Sequence, residues 1–522
     1  MYGSGSRMLK NPILKGFKPD PSILRVEDTY YIATSTFEWH PPINLFRSTD
    51  LANWEQIASP NLNLDLRGLD SSCGLWAPNL SYHDRRFYLV CTVVQTNRRR
   101  FKDPHNFIAS ASCMEGPWSE PVLLNKSGWD PSLFFEDERC YLLNMLLDWR
   151  PERNRFAGVV LQELDLQKQT LVGEVQYLTA GTATGSTEAP NLYKQDGFYY
   201  LLLAEGGTEF GHQVSVLRSS SLLGPYEESP CNPLVKSKSA DELQRAGHGS
   251  LVKTQEGRIY LAYLCSRSVD GAYSILGRET ALAEVVWNSE GWPVLSGQDS
   301  HTPQVEVPSL PQADQGPLVL QFDFQNSQIN HRMKTLREPF SKCGMDFLSR
   351  AGWLRIHGGN SLSSRMHQHL LAISQETLDY QVTTLLDFKP RSPWHLAGLL
   401  AYYDADNYFY AYQSTDDQKQ PILGVVEMDN MVLRQVGEPL HLQTASAVYL
   451  RATARSSSLV FSFSLDETTF IDLHTEKLDM RHLSDEHIQG NGFTGAMVGI
   501  GCQDLAGDGI HADFAYLRYE QL

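Results

Sequence analysis

The chain repeats one short segment five times: DPSI (Asp20 to Ile23), APNL (Ala77 to Leu80), DPSL (Asp130 to Leu133), APNL (Ala189 to Leu192) and HGSL (His248 to Leu251). The closing aliphatics are 57, 53, 59 and 59 residues apart. A tyrosine follows each at an offset of 8, 8, 8, 8 and 9, within Tyr30-Tyr31-Ile32, Phe87-Tyr88-Leu89, Cys140-Tyr141-Leu142, Tyr199-Tyr200-Leu201 and Ile259-Tyr260-Leu261. Between them stand polar turns such as HDRR, EDER, KQDG and TQEG, so each repeat opens with a β-hairpin. Further strands follow in LFRSTDLANW, IASASCMEGPW and VLRSSSLLGPY, and helical periodicity is nearly absent. A unit of this length with several strands is a four-stranded propeller blade, which predicts a five-bladed β-propeller over residues 11–300. The plainer alternative is an irregular all-β sandwich with coincidental tyrosines.

The segment SGQDSHTPQVEVPSLPQADQG, residues 296–316, is rich in Pro, Gln and Ser and reads as a domain linker. Beyond it, runs such as LVLQFDF, YQVTTLLDF, NYFYAYQ and TGAMVGIGC predict a jelly-roll-like β-sandwich over residues 317–522. Residues 1–10 read as a tail or a cloning remnant. The fold class is all-β.

Composition narrows the function. With 44 Lys and Arg against 61 Asp and Glu, the net charge of -17 repels a polyanion, so no nucleic-acid partner is expected. The basic run Arg98-Arg99-Arg100 reads as a solvated turn. Eight cysteines without a C-x-x-C pair read as free thiols. Apolar runs fall far short of the roughly 18 residues needed to cross a bilayer, so no membrane partner is expected. The polar start MYGSGSRMLKNP lacks the apolar stretch of a secretory signal, which favours a cytoplasmic location; a signal removed upstream stays open. Walker, HExxH, G-x-S-x-G and Rossmann motifs are absent.

In a propeller the first strand of every blade lines the axis, so equivalent positions gather in one funnel. That register places Asp20, Asp130 and His248 together, with Glu188 a residue ahead of the register in the fourth repeat. Carboxylates forced together and desolvated raise one another's pKa, which suits acid/base hydrolysis. The plainer alternative is that each Asp caps its Asp-Pro turn. Phe37, Trp39 and Trp76 are placed to wall a sugar ring or to fill core. Arg278 either clamps a sugar hydroxyl or pairs with Glu279.

These residues lie in NPILKGFKPDPSI, STFEW, GLWAP, FKDPHNF, GWDPSLFF, GSTEAPNLY, AEGGTEFGH, AGHGSLV, LGRETA, GFTGAMVGIGCQD and ADFAYLRYE. In these motifs nearly the whole chain resembles glycoside hydrolase family 43, in particular its two-domain β-xylosidases. The resemblance implies Asp20 as general base, Glu188 as general acid and Asp130 as the carboxylate that tunes and orients the acid. It implies substrate contacts from Phe37, Trp76, His248, Arg278 and Phe493, the last reaching across from the sandwich. It implies an inverting exo-β-1,4-xylosidase acting on xylo-oligosaccharides, with α-L-arabinofuranosidase as side or main activity, and a dimer or tetramer. A non-catalytic carbohydrate-binding propeller is the alternative from another class. No cofactor is required; a calcium or other divalent cation in the channel, held by His248 through water, is permitted. One departure stands out: relatives often read TEGPH at the acid, and here Glu188 is followed by Ala189, Pro190 and Asn191.

Overall fold

Strands of aromatic and β-branched residues alternate with polar turns along the whole chain. Apart from two short 3-10 turns, Phe340–Lys342 and Met480–Leu483, no helix occurs among the described residues, and none is long and apolar enough to cross a membrane. The computed structural model describes residues 6–97, 100–297, 303–308, 317–325, 329–443 and 447–522. Arg98, Arg99 and much of the 296–316 segment lie outside them.

Five antiparallel sheets follow one another, each a meander of four strands, with one short extra strand on the fourth. The second is typical: Gly74–His83, Arg86–Val94, Pro104–Ala111 and Val122–Asn125. The constant spacing in the sequence has a simple cause. Each closing aliphatic stands directly opposite the aliphatic after the repeat's tyrosine, as Leu80 does Leu89 and Leu192 does Leu201. Four of the hairpins turn on two residues, among them Asp84-Arg85 with φ of 47° and 59°, the geometry that matches strand twist. The fifth turns on a longer loop, closed by the Thr254 N–H on the Arg258 carbonyl, which accounts for its offset of 9.

The third residue of each repeat segment ties its blade to another. The Leu80 N–H donates to Ser22 Oγ at 2.9 Å, Ser132 Oγ to the Pro190 carbonyl at 2.5 Å, and Asn191 Nδ2 to the Gly249 carbonyl at 3.3 Å. The Ile23 N–H donates to Ser250 Oγ at 3.1 Å, closing the ring between the last blade and the first. The stretch after residue 10 runs along the fifth blade, with the Leu14 and Lys18 N–H groups on the Thr280 and Arg278 carbonyls. The N-terminal tail is itself paired: Ser6–Lys10 forms a two-stranded sheet with Gln304–Pro308, so a strand stands where the sequence showed only linker. Without periodicity, a single edge pairing leaves no pattern to read.

The C-terminal unit is two stacked antiparallel sheets, one centred on His511–Gln521 and Tyr380–Phe388, the other on Met497–Asp504 and His395–Asp404. Between them lies an apolar core that includes Leu386, Leu399, Phe409, Leu450 and Phe514. Every residue of Asn407–Thr415 is buried because the strand is covered twice: Phe409 and Ala411 face the sandwich core, and Tyr408, Tyr410 and Tyr412 join the layer shared with the propeller. That layer joins Phe17, Trp39, Leu69 and Trp76 of the propeller to Leu362, Leu400, Tyr402 and Met497 of the sandwich. All eight cysteines are free.

Candidate active site

The repeat segments do more than start strands. Asp20, Ala77, Asp130, Ala189 and His248 occupy equivalent positions, and all five adopt positive φ, at 56°, 41°, 56°, 50° and 50°. Left-handed backbone is tolerated by Asp and His but costs an Ala about 1–2 kcal/mol. In blades two, four and five the same place is a break in strand register, between Trp76 and Asn79, Glu188 and Asn191, and Gln244 and Gly249. Such a kink turns side chains off the sheet toward the axis. Glu188 belongs to a second ring one residue earlier, whose members are Pro19, Trp76, Trp129, Glu188 and Gly247.

Both rings open into a cavity of about 370 Å³ lined by Asp20, Phe37, Trp76, Asp130, Glu188, His248, Arg278 and Phe493. The three carboxyls, His248, Arg278, Phe37, Trp76 and Phe493 thus meet in one pocket, and of the residues offered as sugar contacts Trp39 alone stands outside it. Neither aspartate caps its own turn. Asp20 Oδ2 accepts from Ser35 Oγ at 2.6 Å, its Oδ1 accepts from Arg278 Nη1 at 3.1 Å, and His248 Nδ1 stands 3.7 Å away. Ser35 Oγ also accepts the Ala77 N–H at 2.7 Å, fixing the aspartate relative to the second blade. The Asp130 carboxyl accepts the Ala189 N–H, the residue after Glu188. Glu188 Oε2 accepts the Trp129 indole N–H at 2.9 Å.

Electrostatics separates the carboxyls. Burial pushes Asp20 up, but Arg278, His248 and the Ser35 hydroxyl together outweigh it, and its pKa lies below the usual carboxylate value. Asp130 is pushed well above its ordinary value by burial and then by the charges of Glu188 and Asp20. Burial also raises Glu188, and Asp20 adds to this against the Trp129 bond and the charges of Arg155 and Arg278. His248 is lowered by burial. The result is one carboxyl held toward its ionised form and two held toward the acid form around one cavity.

The walls are aromatic. Phe37 lies 5.6 Å from Trp76 and 6.1 Å from Phe493, and Trp76 meets Phe493 edge-on at 5.3 Å. Phe493 is carried by the segment after Met480–Leu483, pinned to both sides of the pocket. Glu486 takes the Ser274 N–H and hydroxyl at 2.7 Å and pairs with Arg245, and the Phe493 N–H donates to Ser72 Oγ at 3.1 Å. Arg278 Nη2 donates to the Phe493 carbonyl at 3.0 Å, so one guanidinium joins the aspartate of one domain to the lid of the other. Arg278 does not pair with Glu279, whose partner is Arg267 at 2.7 Å. Trp39 does not wall the pocket: it is buried edge-on to Tyr402 between the domains.

Several lining residues escaped the sequence reading. Trp129 and Phe156 extend the aromatic wall, 5.7 Å apart. Lys102 stands over the Trp76 ring at 5.2 Å, its amine lowered to about 8 chiefly by burial. His212, its pKa lowered to about 3 by burial, lies against Gly247, where a Cβ would come within 2.3 Å of the imidazole. Trp129 was legible, since WDPS, WAPN and EAPN align it with Trp76 and Glu188. Lys102, Phe156 and His212 come from later strands and loops that do not repeat.

Beneath the pocket the axis narrows to a cavity of about 10 Å³, bordered by Asp130, His248, Asn79 and Asn191 among others. Asn191 is committed to the blade ties: its Oδ1 accepts from Asn79 at 2.9 Å while its Nδ2 holds the Gly249 carbonyl. His248 and Asp130 are the two titratable groups here, and with the Asn79 and Asn191 amide oxygens they still fall short of the six to eight oxygens a calcium ion takes, so water would complete its shell. Among the described residues, a grouping of three potential metal ligands within 4.8 Å of one another occurs instead in the sandwich, at Asp429, His482 and His487. There each ring nitrogen already faces its own carboxylate, at 2.7 Å from Glu427 and from Asp429.

Comparison with known proteins agrees with this geometry. Residues 9–293 match the model for glycosyl hydrolases family 43, and residues 321–520 match a beta xylosidase C-terminal concanavalin A-like domain. A beta-xylosidase of Bacillus subtilis strain 168 is 38% identical, with 98% of this chain and 99% of that protein aligned. The xylosidase/arabinosidase 43B of Humicola insolens is 38% identical over 98% of this chain and 97% of its own length. The crystal structure of a xylan beta-1,4-xylosidase from Bacillus halodurans C-125 superposes with a TM-score of 0.95 at 41% identity, covering 98% of this chain and 100% of the other. With its propeller and its sandwich each matching a family model and its full length matching these relatives, the chain is a glycoside hydrolase and belongs to glycosyl hydrolase family 43.

Proposed function

We propose that the enzyme is an inverting exo-β-1,4-xylosidase that releases xylose from the non-reducing ends of xylo-oligosaccharides, with α-L-arabinofuranosidase as a side activity. The reading rests chiefly on Asp20 and Glu188, whose pKa values are driven in opposite directions within one pocket. Ionised Asp20 takes a proton from water as it attacks the anomeric carbon, and protonated Glu188 gives its proton to the departing glycosidic oxygen. An inverting pair stands about 6.5–9.5 Å apart to admit that water. The indole N–H of Trp129 occupies Glu188 Oε2, which leaves the other oxygen to carry the proton. Asp130, held by the Ala189 N–H of the residue after the acid, keeps the acid oriented, and burial and the charges of Glu188 and Asp20 hold its own carboxyl toward the protonated form.

Exo action follows from the shape. The axis below the pocket closes to about 10 Å³, and Phe493 covers one side, so a chain end enters and a polymer does not thread through. Arg278 and His248 are placed for the sugar hydroxyls, and Phe37, Trp76 and Phe493 for its apolar faces. No cofactor takes part in these steps; a divalent cation beside His248 and Asp130 would act by its charge, drawing Asp130 toward the ionised form. Measuring kcat/KM on xylobiose and on the nitrophenyl β-xyloside and α-L-arabinofuranoside tests the assignment. Xylose release from xylobiose is expected, with the xyloside preferred; a folded enzyme that cleaves the arabinofuranoside alone refutes it.

A further inference from the structure

Away from the catalytic pocket, a second cavity of about 20 Å³ lies between propeller and sandwich. Its polar wall consists almost wholly of donors. Lys334 is buried, and its ammonium donates to the Pro41 carbonyl at 3.3 Å. The cavity's one carboxylate, Glu376, is already held by Lys18 at 3.1 Å and Arg332 at 2.5 Å. Three basic side chains therefore face one carboxylate. The Thr36 hydroxyl and the Trp39 indole N–H border the same cavity, each 1% exposed as a residue, and neither has a hydrogen-bond partner among the described residues. Asn44 and Gln56, also in the wall, are bonded to each other.

We infer that this cavity is a binding site for a monovalent halide, chloride in the cell, held by Lys334, Thr36 and Trp39. The excess of basic side chains calls for an anion, and two donors without partners among the described residues, beside an ammonium with the Pro41 carbonyl as acceptor for one of its three protons, suit a species that only accepts. Water is the competing occupant, because the Thr36 hydroxyl can accept as well as donate, and a halide soak separates the two. Size sets the class, because a space of this volume admits about one water-sized particle and excludes tetrahedral oxyanions such as sulfate. Glu279 also acts on Lys18 but is already paired with Arg267 at 2.7 Å, and the neighbours His40 and Lys342 supply no negative charge. Burial and Lys18 push the Lys334 amine down to about 7, a burden that a bound anion relieves. The site touches catalysis through the chain, since Thr36 and Trp39 flank Phe37 and follow Ser35. A halide there fixes the base-holding segment against the sandwich, where Trp39-His40 pairs with Thr335-Leu336.

The test uses the whole enzyme. Crystals soaked in sodium bromide are expected to show an anomalous peak in this cavity within hydrogen-bonding distance of Lys334 Nζ. In solution at fixed ionic strength, the melting temperature is expected to rise when sulfate is replaced by chloride or bromide. Lys334→Met removes the charge at similar volume, and the halide response should vanish; Thr36→Val keeps the charge and should weaken it. No anomalous peak in the cavity overturns the assignment, as does an equal halide response in the wild type and Lys334→Met. Neither readout depends on the substrate, so the xylosidase reading stands or falls separately.

Discussion

Replacing Ser35 with alanine isolates what holds the base in its ionised state. The Ser35 hydroxyl donates to Asp20 Oδ2 at 2.6 Å in a buried setting, and its loss leaves Arg278 and His248 to oppose desolvation. A hydrogen bond to a charged acceptor is worth about 1.5–3 kcal/mol. One pKa unit corresponds to about 1.4 kcal/mol, so the Asp20 pKa should rise by about one to two units. The sign is fixed: the hydroxyl favours the carboxylate, so its removal favours the acid form. The ascending limb of kcat/KM against pH should therefore move to higher pH by that amount, while the rate on the plateau changes little. The assay is a pH profile on nitrophenyl β-xyloside, with Ser35→Thr as the control that keeps a hydroxyl and the wild-type limb. The substitution also strands the Ala77 N–H, at a cost of about 1–3 kcal/mol in stability, so the melting temperature must show a folded protein. A folded Ser35→Ala enzyme whose acid limb has not moved would refute this account of Asp20.

Trp129→Phe keeps the aromatic wall and removes the donor to Glu188; the descending limb should shift upward, and xylobiose cleavage should fall more than nitrophenyl xyloside cleavage, whose leaving group needs less protonation. Steady-state kinetics on both substrates check this. Phe493→Ala opens the pocket on the sandwich side and should cost about 1–2 kcal/mol of transition-state binding, read as roughly a five- to thirtyfold loss in kcat/KM. Glu376→Ala leaves Lys18 and Arg332 without their carboxylate between the domains and should destabilise by about 3–5 kcal/mol in denaturant titration. Burial raises the Glu376 carboxyl, but Lys18 and Arg332 bring it below its ordinary value. Its contribution is thus present above the ordinary carboxylate range and lost as pH falls through the lowered value, so wild type and variant should converge in stability in strong acid.

Much of this site could be read from the sequence because repetition turns spacing into geometry. Five segments in equal register must meet at an axis, so Asp20, Asp130 and His248 were placed together from their positions alone. Glu188 looked like an outlier until the second ring showed that Trp76 and Trp129 share its place, and the kinks at Ala77 and Ala189 explain how both rings reach the pocket. Phe493 came through resemblance, since contacts across domains leave no periodicity, and Arg278 was left between a sugar clamp and a partner of Glu279 until the structure paired Glu279 with Arg267. Ser35 lay inside the quoted STFEW without being singled out, because a hydroxyl that links an aspartate of one blade to a backbone N–H of the next has no mark in linear sequence. Trp39 was offered as a sugar wall or as core, and burial between the domains settled it as core. The strand at Gln304–Pro308 was missed because, among the described residues, it pairs with the chain's own first strand.

The claim that Asp20 and Glu188 act as an inverting pair is tested most directly by proton NMR of xylobiose during early turnover, before the anomers equilibrate. α-Xylose is expected first, from water delivered by Asp20 to the face opposite the leaving group. β-Xylose as the first product would contradict the account, because it requires a covalent intermediate that an ionised base set apart from its acid does not form.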